Sequence, residues 1–223
     1  MFVGMKNLER IKEKILEYSS TGKKLFATSS FQTHSIPLLH IIAQVDNSIP
    51  VYFLNTGYLF PETILFKDEL ADKLELQFIA LNSIVSKTQQ RDEKGNLFFT
   101  SDPDYCCFLN KTQPMEPVLK TMDIWINGIR ADQSATRAQM KEEEETPQGA
   151  LRYHPMLHWS SKDIYEYRTE HNLPAHPLEA RGYLSVGCEP CTRKLLSGDD
   201  ERSARWFGMN KVECGLHTDL IKK

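Results

Sequence analysis

The sequence contains no long hydrophobic run, no dominant charge and no internal repeat, and each absence excludes a class of protein. No stretch approaches the roughly 18 to 20 consecutive apolar residues of a membrane span, and residues 1–20 lack the apolar core of a signal peptide. The formal net charge of only -3 favours neither a nucleic-acid-binding surface nor an acidic disordered tail. We therefore predict a cytoplasmic protein that binds neither membranes nor nucleic acid.

Cysteine is also scarce, with five residues in the chain. Cytosolic thiols are kept reduced, so these cysteines indicate metal ligands or reactive thiols and not a disulfide framework. The 223 residues, 40% of them hydrophobic and 26% charged, are enough to bury a substantial core. We predict one domain over residues 1–223, with an α/β core over about residues 20–150 and a C-terminal extension, helical and looped, over 151–223.

Segments typical of strands and helices alternate along the predicted core. Apolar periodicity predicts helices over residues 5–19 and 36–44 and a third that ends near residue 74, while short apolar runs predict strands over 24–29, 50–55, 76–81 and 123–127. Ser160, with Asp163 three residues later, predicts the N-cap of a helix over 163–171. This order predicts an α/β fold with a doubly wound, mainly parallel sheet.

Polar segments follow three of the predicted strands. Ligands of open α/β sheets bind at the carboxyl ends of strands, so residues 29–35, 55–63 and 128–137 are expected to face one cleft. The first of these is rich in hydroxyl groups and precedes a helix with Pro37 in its first turn, which suits a phosphate or sulfate. The polar residues 82–105 are predicted to end in a loop that delivers Cys106 and Cys107, and the acidic run 141–145 is predicted as a solvated loop or helix end.

Four cysteines form two pairs, Cys106-Cys107 and Cys188-Glu-Pro-Cys191. Four thiolates complete the ligand set of a structural zinc ion or of an iron–sulfur cluster. Adjacent cysteines are awkward ligands for one ion because neighbouring side chains point apart, and a cluster with several metal corners relaxes that demand. The spacing favours the cluster over zinc, and leaves a redox pair or buried thiols without a role as further interpretations.

The fifth cysteine, Cys214, lies in the segment Glu213-Cys-Gly-Leu-His217 and follows Arg202, Arg205 and Lys211. Nearby cations lower the pKa of a thiol, and the thiolate is the reactive form, so Cys214 is a candidate nucleophile. The alternative is a tail cysteine without a role. Gly215 and the few apolar residues of the tail indicate a mobile segment that would close over a substrate.

Together these motifs resemble the assimilatory sulfonucleotide reductases, in particular the adenosine 5′-phosphosulfate reductase branch. The resemblance covers most of the chain and includes further blocks in the expected order. These blocks are Ser29-Ser-Phe31, Leu54-Asn-Thr-Gly57 with Pro61-Glu-Thr63, Gly128-Ile-Arg130 with Asp132-Gln-Ser134 and Thr136-Arg-Ala-Gln139, and Arg181-Gly-Tyr183 through Thr192.

The resemblance implies an adenine nucleotide α-hydrolase-like fold and a two-step reaction. Cys214 would take the sulfonate group from adenosine 5′-phosphosulfate and expel AMP, after which thioredoxin or glutaredoxin would release sulfite. The implied cofactor is one [4Fe-4S] cluster held by Cys106, Cys107, Cys188 and Cys191, and a homo-oligomer is compatible with the family. The implied catalytic residues are Cys214, Lys111, Arg202, Arg205 and His217. The implied substrate-binding residues are Ser29, Ser30, Phe31, Asn55, Thr56, Gly57, Gly128, Arg130 and Arg137.

The chain departs from the family pattern at several positions. Asn110 replaces an arginine and Phe108 a basic residue, so less positive charge lies beside the implied cluster. Gln32 replaces the glycine of a Ser-Phe-Gly loop, and Asn55 replaces an aspartate. The nearest alternative substrate is 3′-phosphoadenosine 5′-phosphosulfate. A zinc-stabilised nucleotide-binding or redox-sensing module is the alternative outside enzymes, whereas the Ser-Gly-Gly-x-Asp-Ser loop of ATP pyrophosphatases is absent.

Overall fold

The computed structural model describes residues 3–196, 201–209, 211 and 213–220, without the side chains of residues 3–6, 201 and 202. The strands are β1 (Leu25–Thr28), β2 (Val51–Leu54), β3 (Phe78–Leu81), β4 (Ile124–Asn127), β5 (Glu143–Glu145) and β6 (Leu151–Tyr153). The α-helices are α1 (Val3–Ser20), α2 (Ile36–Val45), α3 (Pro61–Leu74), α4 (Phe98–Ser101), α5 (Pro103–Cys107), α6 (Gln113–Leu119), α7 (Ala135–Ala138) and α8 (Ser161–Glu170).

The strands form a single sheet in the order β3-β2-β1-β4-β6-β5. Neighbouring strands are parallel except for β5, which pairs antiparallel with β6 at one edge. The chain winds outward from β1 in one direction to β3 and then crosses to the other side at β4, which is the topology of a doubly wound fold. The predicted fold class is therefore confirmed.

Both faces of the sheet are covered. Successive strand residues point to opposite faces, so Ala27 of β1 packs in the larger core while Phe26 packs with Trp125 and Met115 in a second one. Leu220 also belongs to this second core, so the end of the described chain packs against the sheet. Among the described residues, no helix combines membrane-spanning length with a sufficiently apolar sequence.

Helix α8 begins where the sequence places it. The Ser160 hydroxyl accepts a hydrogen bond from the Asp163 N–H, and the Asp163 carboxylate accepts one from the Ser160 N–H. This reciprocal pair satisfies two backbone donors that the helix itself leaves unpaired. The first helices and strands also lie close to their predicted ranges, because each carries its own apolar pattern.

The prediction of a solvated loop or helix end over the acidic run was wrong for Glu143–Glu145, which form the edge strand β5. Side chains of α1 form hydrogen bonds and ion pairs with two carboxylates of the acidic run and so stabilise them there. The Tyr18 hydroxyl donates to Glu143 at 2.5 Å, Lys14 Nζ lies 3.4 Å from the same carboxylate, and Arg10 binds Glu142. The acidic run therefore joins α1 to the sheet.

The connection predicted for residues 82–105 is also partly helical. It contains α4 and most of α5, so the two adjacent cysteines lie on a helix and not in a loop. Asp102 begins α5 by accepting a hydrogen bond from the Tyr105 N–H at 2.9 Å, and Pro103 fits the first turn. The helix continues through a π-helical turn, Phe108–Thr112, into α6, and such turns are frequent at functional sites.

Candidate active site

One cleft lies at the carboxyl ends of β1, β2 and β4, where open α/β sheets bind ligands. It is enclosed on the other side by segments that carry residues 186–188, 205–206 and 213–217. Most of the predicted substrate-binding and catalytic residues line this cleft. They are Ser29, Ser30, Phe31, Thr56, Gly128, Arg137, Lys111, Arg205, Cys214 and His217.

Hydrogen bonds and packing of its own side chains fix the conformation of the loop after β1. The Phe31 N–H donates to the Ser29 hydroxyl at 3.0 Å, and Phe31 adopts a positive φ of 57° with its ring buried against Phe53 and Phe78. Gln32 accepts a hydrogen bond from the Val186 N–H at 3.2 Å and donates to Ser30. Gln32, which departs from the family pattern, therefore ties this loop to the segment that carries Cys188.

Three predicted substrate-binding residues do not line the cleft. Asn55 donates to Asn82 at 2.9 Å, and the carbonyl of Gly57 accepts a hydrogen bond from Lys87 at 2.9 Å. Arg130 is buried and its guanidinium binds Asp132 at 3.0 Å and Ser161 at 3.0 Å. These three residues shape the loops around the cleft. Arg202 lies in a short helical turn, and its side chain is outside the described residues.

The four cysteines of the two pairs line a second, smaller cavity next to the cleft. Cys106 and Cys188 pack with Tyr58, and the Thr56 hydroxyl lies 3.3 Å from the Cys188 sulfur. Burial raises the pKa of the Cys106 thiol to about 11, with Cys188 and Cys191 acting in the same direction. No group of three or more His, Cys, Asp or Glu side chains among the described residues is arranged to hold a metal ion.

Asn110 lies beside this cavity as half of a buried amide pair. Its Nδ2 donates to Gln90 Oε1 at 2.6 Å, and Gln90 Nε2 donates back to its Oδ1 at 2.9 Å. The same Asn110 amide also reaches the Cys106 carbonyl at 2.9 Å and the Cys106 sulfur at 3.6 Å. A neutral amide thus takes the position for which the family pattern has a charged side chain.

Lys111 and Cys214 meet where the cleft adjoins the cysteine cavity. A hydrogen bond from the Cys107 thiol, the charge of Lys111 and the Leu216 N–H hold the pKa of Cys214 well below its usual value, against the effect of burial. Burial alone would lower the pKa of the Lys111 ammonium, but Cys188, Cys214 and Cys107 raise it above its usual value. Both shifts favour a thiolate beside a cation, which is the arrangement of an activated thiol nucleophile.

The segment around Cys214 is fixed to the core through Glu213. Its buried carboxylate accepts hydrogen bonds from Arg137 Nε at 3.0 Å and Nη2 at 3.1 Å, from the Ser134 hydroxyl and from the Cys214 N–H. Lys211 also binds Asp104 on α5. Cys214 therefore lies inside the cleft, on the tail that the sequence predicts to be mobile.

Comparison with protein families identifies the chain. The family model described as the phosphoadenosine phosphosulfate reductase domain matches residues 24–194, which include the loops after β1, β2 and β4 and all four paired cysteines. The chain belongs to this reductase family. The family resemblance predicted from the sequence is thereby confirmed.

Curated relatives within the reductase family agree with this assignment. An adenosine 5′-phosphosulfate reductase of Chelativorans sp. is 40% identical over 85% of this chain and 77% of its own length. One of Streptomyces coelicolor is 38% identical over 88% of this chain and 83% of its own length. A phosphoadenosine 5′-phosphosulfate reductase of Gloeobacter violaceus is 36% identical over 88% of this chain and 83% of its own length.

Solved structures agree with the reductase fold. The phosphoadenylyl-sulfate reductase of Candida auris superposes with a TM-score of 0.66 at 21% identity, over 80% of this chain and 88% of that one. The FMN adenylyltransferase of Candida glabrata superposes with a TM-score of 0.61 at 15% identity, over 83% of this chain and 62% of that one. These likenesses show a fold shared with adenine nucleotide enzymes, as predicted.

Three residues of this reductase that contact the cleft or its tail were not predicted from the sequence. Glu213 and Asn127 line the cleft. Arg152 forms hydrogen bonds to the Leu216 carbonyl and to His217 Nδ1. Glu213 lies in the recognised tail motif and its adjacency to Cys214 was a usable signal. Asn127 ends β4 and Arg152 lies in the three-residue β6, where a polar side chain within a buried strand was the available signal.

Proposed function

We propose that this protein reduces adenosine 5′-phosphosulfate to sulfite and AMP, with Cys214 as the nucleophile. The observation that carries the proposal is the position of Cys214, which lines the same cleft as the Ser29–Ser30 loop and as Lys111, Arg205 and His217. A nucleotide anion bound at the loop would thus meet a thiolate and several cations. The names of the 38–40% identical relatives support the same substrate.

In the first step, the Cys214 thiolate attacks the sulfur of the phosphosulfate group. An S–S bond forms, the bond between that sulfur and the bridging oxygen breaks, and AMP leaves with the electron pair. Negative charge grows on the departing phosphate and on the sulfonate oxygens, so fixed cations lower the barrier. Lys111, Arg205 and Arg202 are proposed for this role, and Arg137 contributes through its contact with Glu213.

In the second step, a dithiol protein such as thioredoxin or glutaredoxin attacks the Cys214 sulfur. Sulfite leaves, a mixed disulfide forms, and the second thiol of the donor releases Cys214 as a thiolate while the donor becomes a disulfide. The donor therefore supplies the two electrons. We place the reaction in the cytoplasm, where the five free thiols of this chain would stay reduced.

We further propose that Cys106, Cys107, Cys188 and Cys191 hold a [4Fe-4S] cluster. Thiolates are the ligands that such clusters use, and four free thiols line this cavity. When bound, the cluster would supply fixed charge beside the substrate anion. Asn110 would donate a hydrogen bond to one of its sulfur ligands, and Lys111 would stand between the cysteines and the cleft.

The mass of the protein after mixing with adenosine 5′-phosphosulfate and no reductant tests the nucleophile. We expect an added sulfonate on the peptide that carries Cys214, with release of one AMP for each group added. Cys214→Ser should bind AMP normally and form no adduct, because only the nucleophile is removed. Sulfite formation by Cys214→Ser at the wild-type rate would overturn the proposal.

The second candidate substrate is 3′-phosphoadenosine 5′-phosphosulfate, because one 36% identical relative is named as a reductase of that nucleotide. The same cleft and the same thiolate would serve both nucleotides, because they differ only at the ribose 3′ position. The ratio of kcat/KM for the two nucleotides decides between them. Equal values would make the protein a reductase of both.

A further inference from the structure

A buried arginine outside the predicted site holds the segment that follows Cys214. Arg152 is 0% exposed, and its guanidinium lies 4.4 Å from the ring centroid of Trp125. Its Nη1 donates to the Leu216 carbonyl at 2.9 Å, and its Nη2 lies 2.6 Å from Nδ1 of His217. Both terminal nitrogens of the guanidinium thus bind the tail.

In the contact between Arg152 and His217, the guanidinium is the hydrogen-bond donor and the imidazole nitrogen is the acceptor. A guanidinium has five N–H donors and no acceptor, so it binds Nδ1 only where that nitrogen carries a lone pair. Burial lowers the pKa of Arg152 to about 9, which leaves it protonated at neutral pH. The ring proton of neutral His217 is then on Nε2, because a neutral imidazole has one donor and one acceptor.

We propose that Arg152 is a positioning residue that fixes His217 in its Nε2–H form and orients it as a hydrogen-bond donor in the cleft. His217 then donates to a sulfonate or phosphate oxygen and does not act as the base for Cys214. The chemical meaning of this inference rests on the proposed function, because it needs an anion in the cleft. The tautomer itself is a property of the free protein.

The chemistry of the cleft agrees with this assignment. Lys111 lines the same cleft as Cys214, and a nearby cation favours the thiolate without a base at His217. A departing phosphate needs donors, and an N–H held in place before substrate arrives loses no orientation energy during the reaction. Arg152 also fixes the Leu216 carbonyl, so the same guanidinium sets the path of the chain between Cys214 and His217.

Long-range 1H–15N NMR of the wild-type protein labelled at histidine tests the tautomer directly. The His217 signals, assigned by their loss in His217→Asn, should report a protonated Nε2 and an unprotonated Nδ1. A wild-type His217 protonated at Nδ1 would overturn the inference whether or not the protein is a reductase. This readout needs no variant of Arg152, so misfolding of such a variant does not affect it.

A double-mutant cycle tests the role in the reaction. Arg152→Met keeps an apolar chain against Trp125. We expect it to slow adduct formation on Cys214 about tenfold and to weaken AMP binding by a smaller factor, because AMP lacks the sulfonate oxygens of the transition state. In a His217→Asn background the same change should cost less than about twofold, because coupled residues are not additive.

Additive losses in that cycle would mean that Arg152 only stabilises the fold, and would contradict the positioning role. Loss of AMP affinity equal to the loss of rate would contradict it as well. The proposed function fails by a different result, namely an active Cys214→Ser or the absence of any adduct. The two failures are therefore distinguishable.

Discussion

At the scale of single residues, Gly187 determines where a cation of the cleft can lie. A Cβ atom at this position would fall 2.2 Å from Nη2 of Arg205 and 2.5 Å from its Cζ, so the guanidinium occupies the space that a side chain would take. Arg205 also donates from Nε to the Cys191 carbonyl at 3.1 Å. Its charge is thus held between the cleft and the backbone of the Cys188–Cys191 turn.

We expect Gly187→Ala to lower kcat/KM for sulfite formation at least about tenfold, or about 1.4 kcal/mol of transition-state stabilisation, because the guanidinium must move. The φ of Gly187 is not in the left-handed region, so alanine should not strain the backbone. Steady-state kinetics of Gly187→Ala, Arg205→Ala and the double variant measure the effect. If Gly187→Ala acts through Arg205, it should lower kcat/KM little further in the Arg205→Ala background. Fully additive losses of kcat/KM in the double variant would contradict this explanation.

Asn127 is a second residue whose chemistry belongs to the cleft. It is buried at the end of β4, and among the described residues neither Nδ2 nor Oδ1 has a hydrogen-bond partner. An unpaired buried amide costs about 1–3 kcal/mol. We expect Asn127→Leu to raise the free energy of unfolding by about 1 kcal/mol, because it removes an unpaired buried amide. We also expect it to weaken AMP binding about tenfold, because this amide would form its hydrogen bonds with the bound ligand.

Urea unfolding and calorimetric titration with AMP measure these two changes for Asn127→Leu. Asn47→Leu, at an exposed position, is the matched control for adding an apolar side chain and should change neither quantity much. A less stable Asn127→Leu protein that binds AMP as the wild type does would contradict the assignment.

The residues that the sequence could predict are those whose motif is local. Cys214 and Lys111 follow recognisable neighbours, and both line the cleft. Arg152 has no such neighbour, because its partners Leu216 and His217 lie more than 60 positions later and meet it only through the packing of the tail. Arg130 is predicted to bind substrate; it does not line the cleft, and its Nε and Nη2 donate to Asp132 and Ser161, which the sequence pattern did not indicate.

At the scale of elements, helix α8 offers a direct test of a local signal. Ser160→Ala removes the side chain that accepts the Asp163 N–H, and we expect a loss of about 1 kcal/mol in the free energy of unfolding. Urea unfolding measures it. Lys162→Ala in the same helix is the control, because its exposed contact with Glu166 at 3.6 Å contributes little. Equal losses in both variants would show that the cap adds nothing specific.

The elements that were missed depend on contacts between distant parts of the chain. Strands β5 and β6 have three residues each, too short for a periodic pattern, and their pairing brings Glu143 opposite Tyr153. Helix α1 supplies Tyr18 and Lys14 as partners for Glu143 of β5, and Arg10 for the preceding Glu142. By contrast, α8 carries its own start signal and was predicted correctly.

At the scale of the whole molecule, buried histidines determine how the fold responds to acid. His176 is 1% exposed, accepts the Leu178 N–H at Nδ1 and lies 2.9 Å from the Thr63 hydroxyl through Nε2. Burial lowers its pKa to about 4, against the attraction of Glu62 and Glu179. Burial similarly lowers the pKa of His154 to about 3 and of His34 to about 4. All three are therefore neutral in the folded protein near pH 7.

Acid should destabilise this protein well above the pH at which its carboxylates titrate. Between pH about 6.5, where an unfolded histidine titrates, and pH about 4, the unfolded chain binds more protons than the folded one, so stability falls as pH falls. From pH 7.5 to 5, His176 alone accounts for about 2 kcal/mol of that loss. Urea unfolding at both pH values should show that His176→Gln loses about 2 kcal/mol less than the wild type, because its amide does not titrate. His158→Gln, at an exposed position, should lose as much as the wild type, and an equal response of both variants would contradict the role of buried His176.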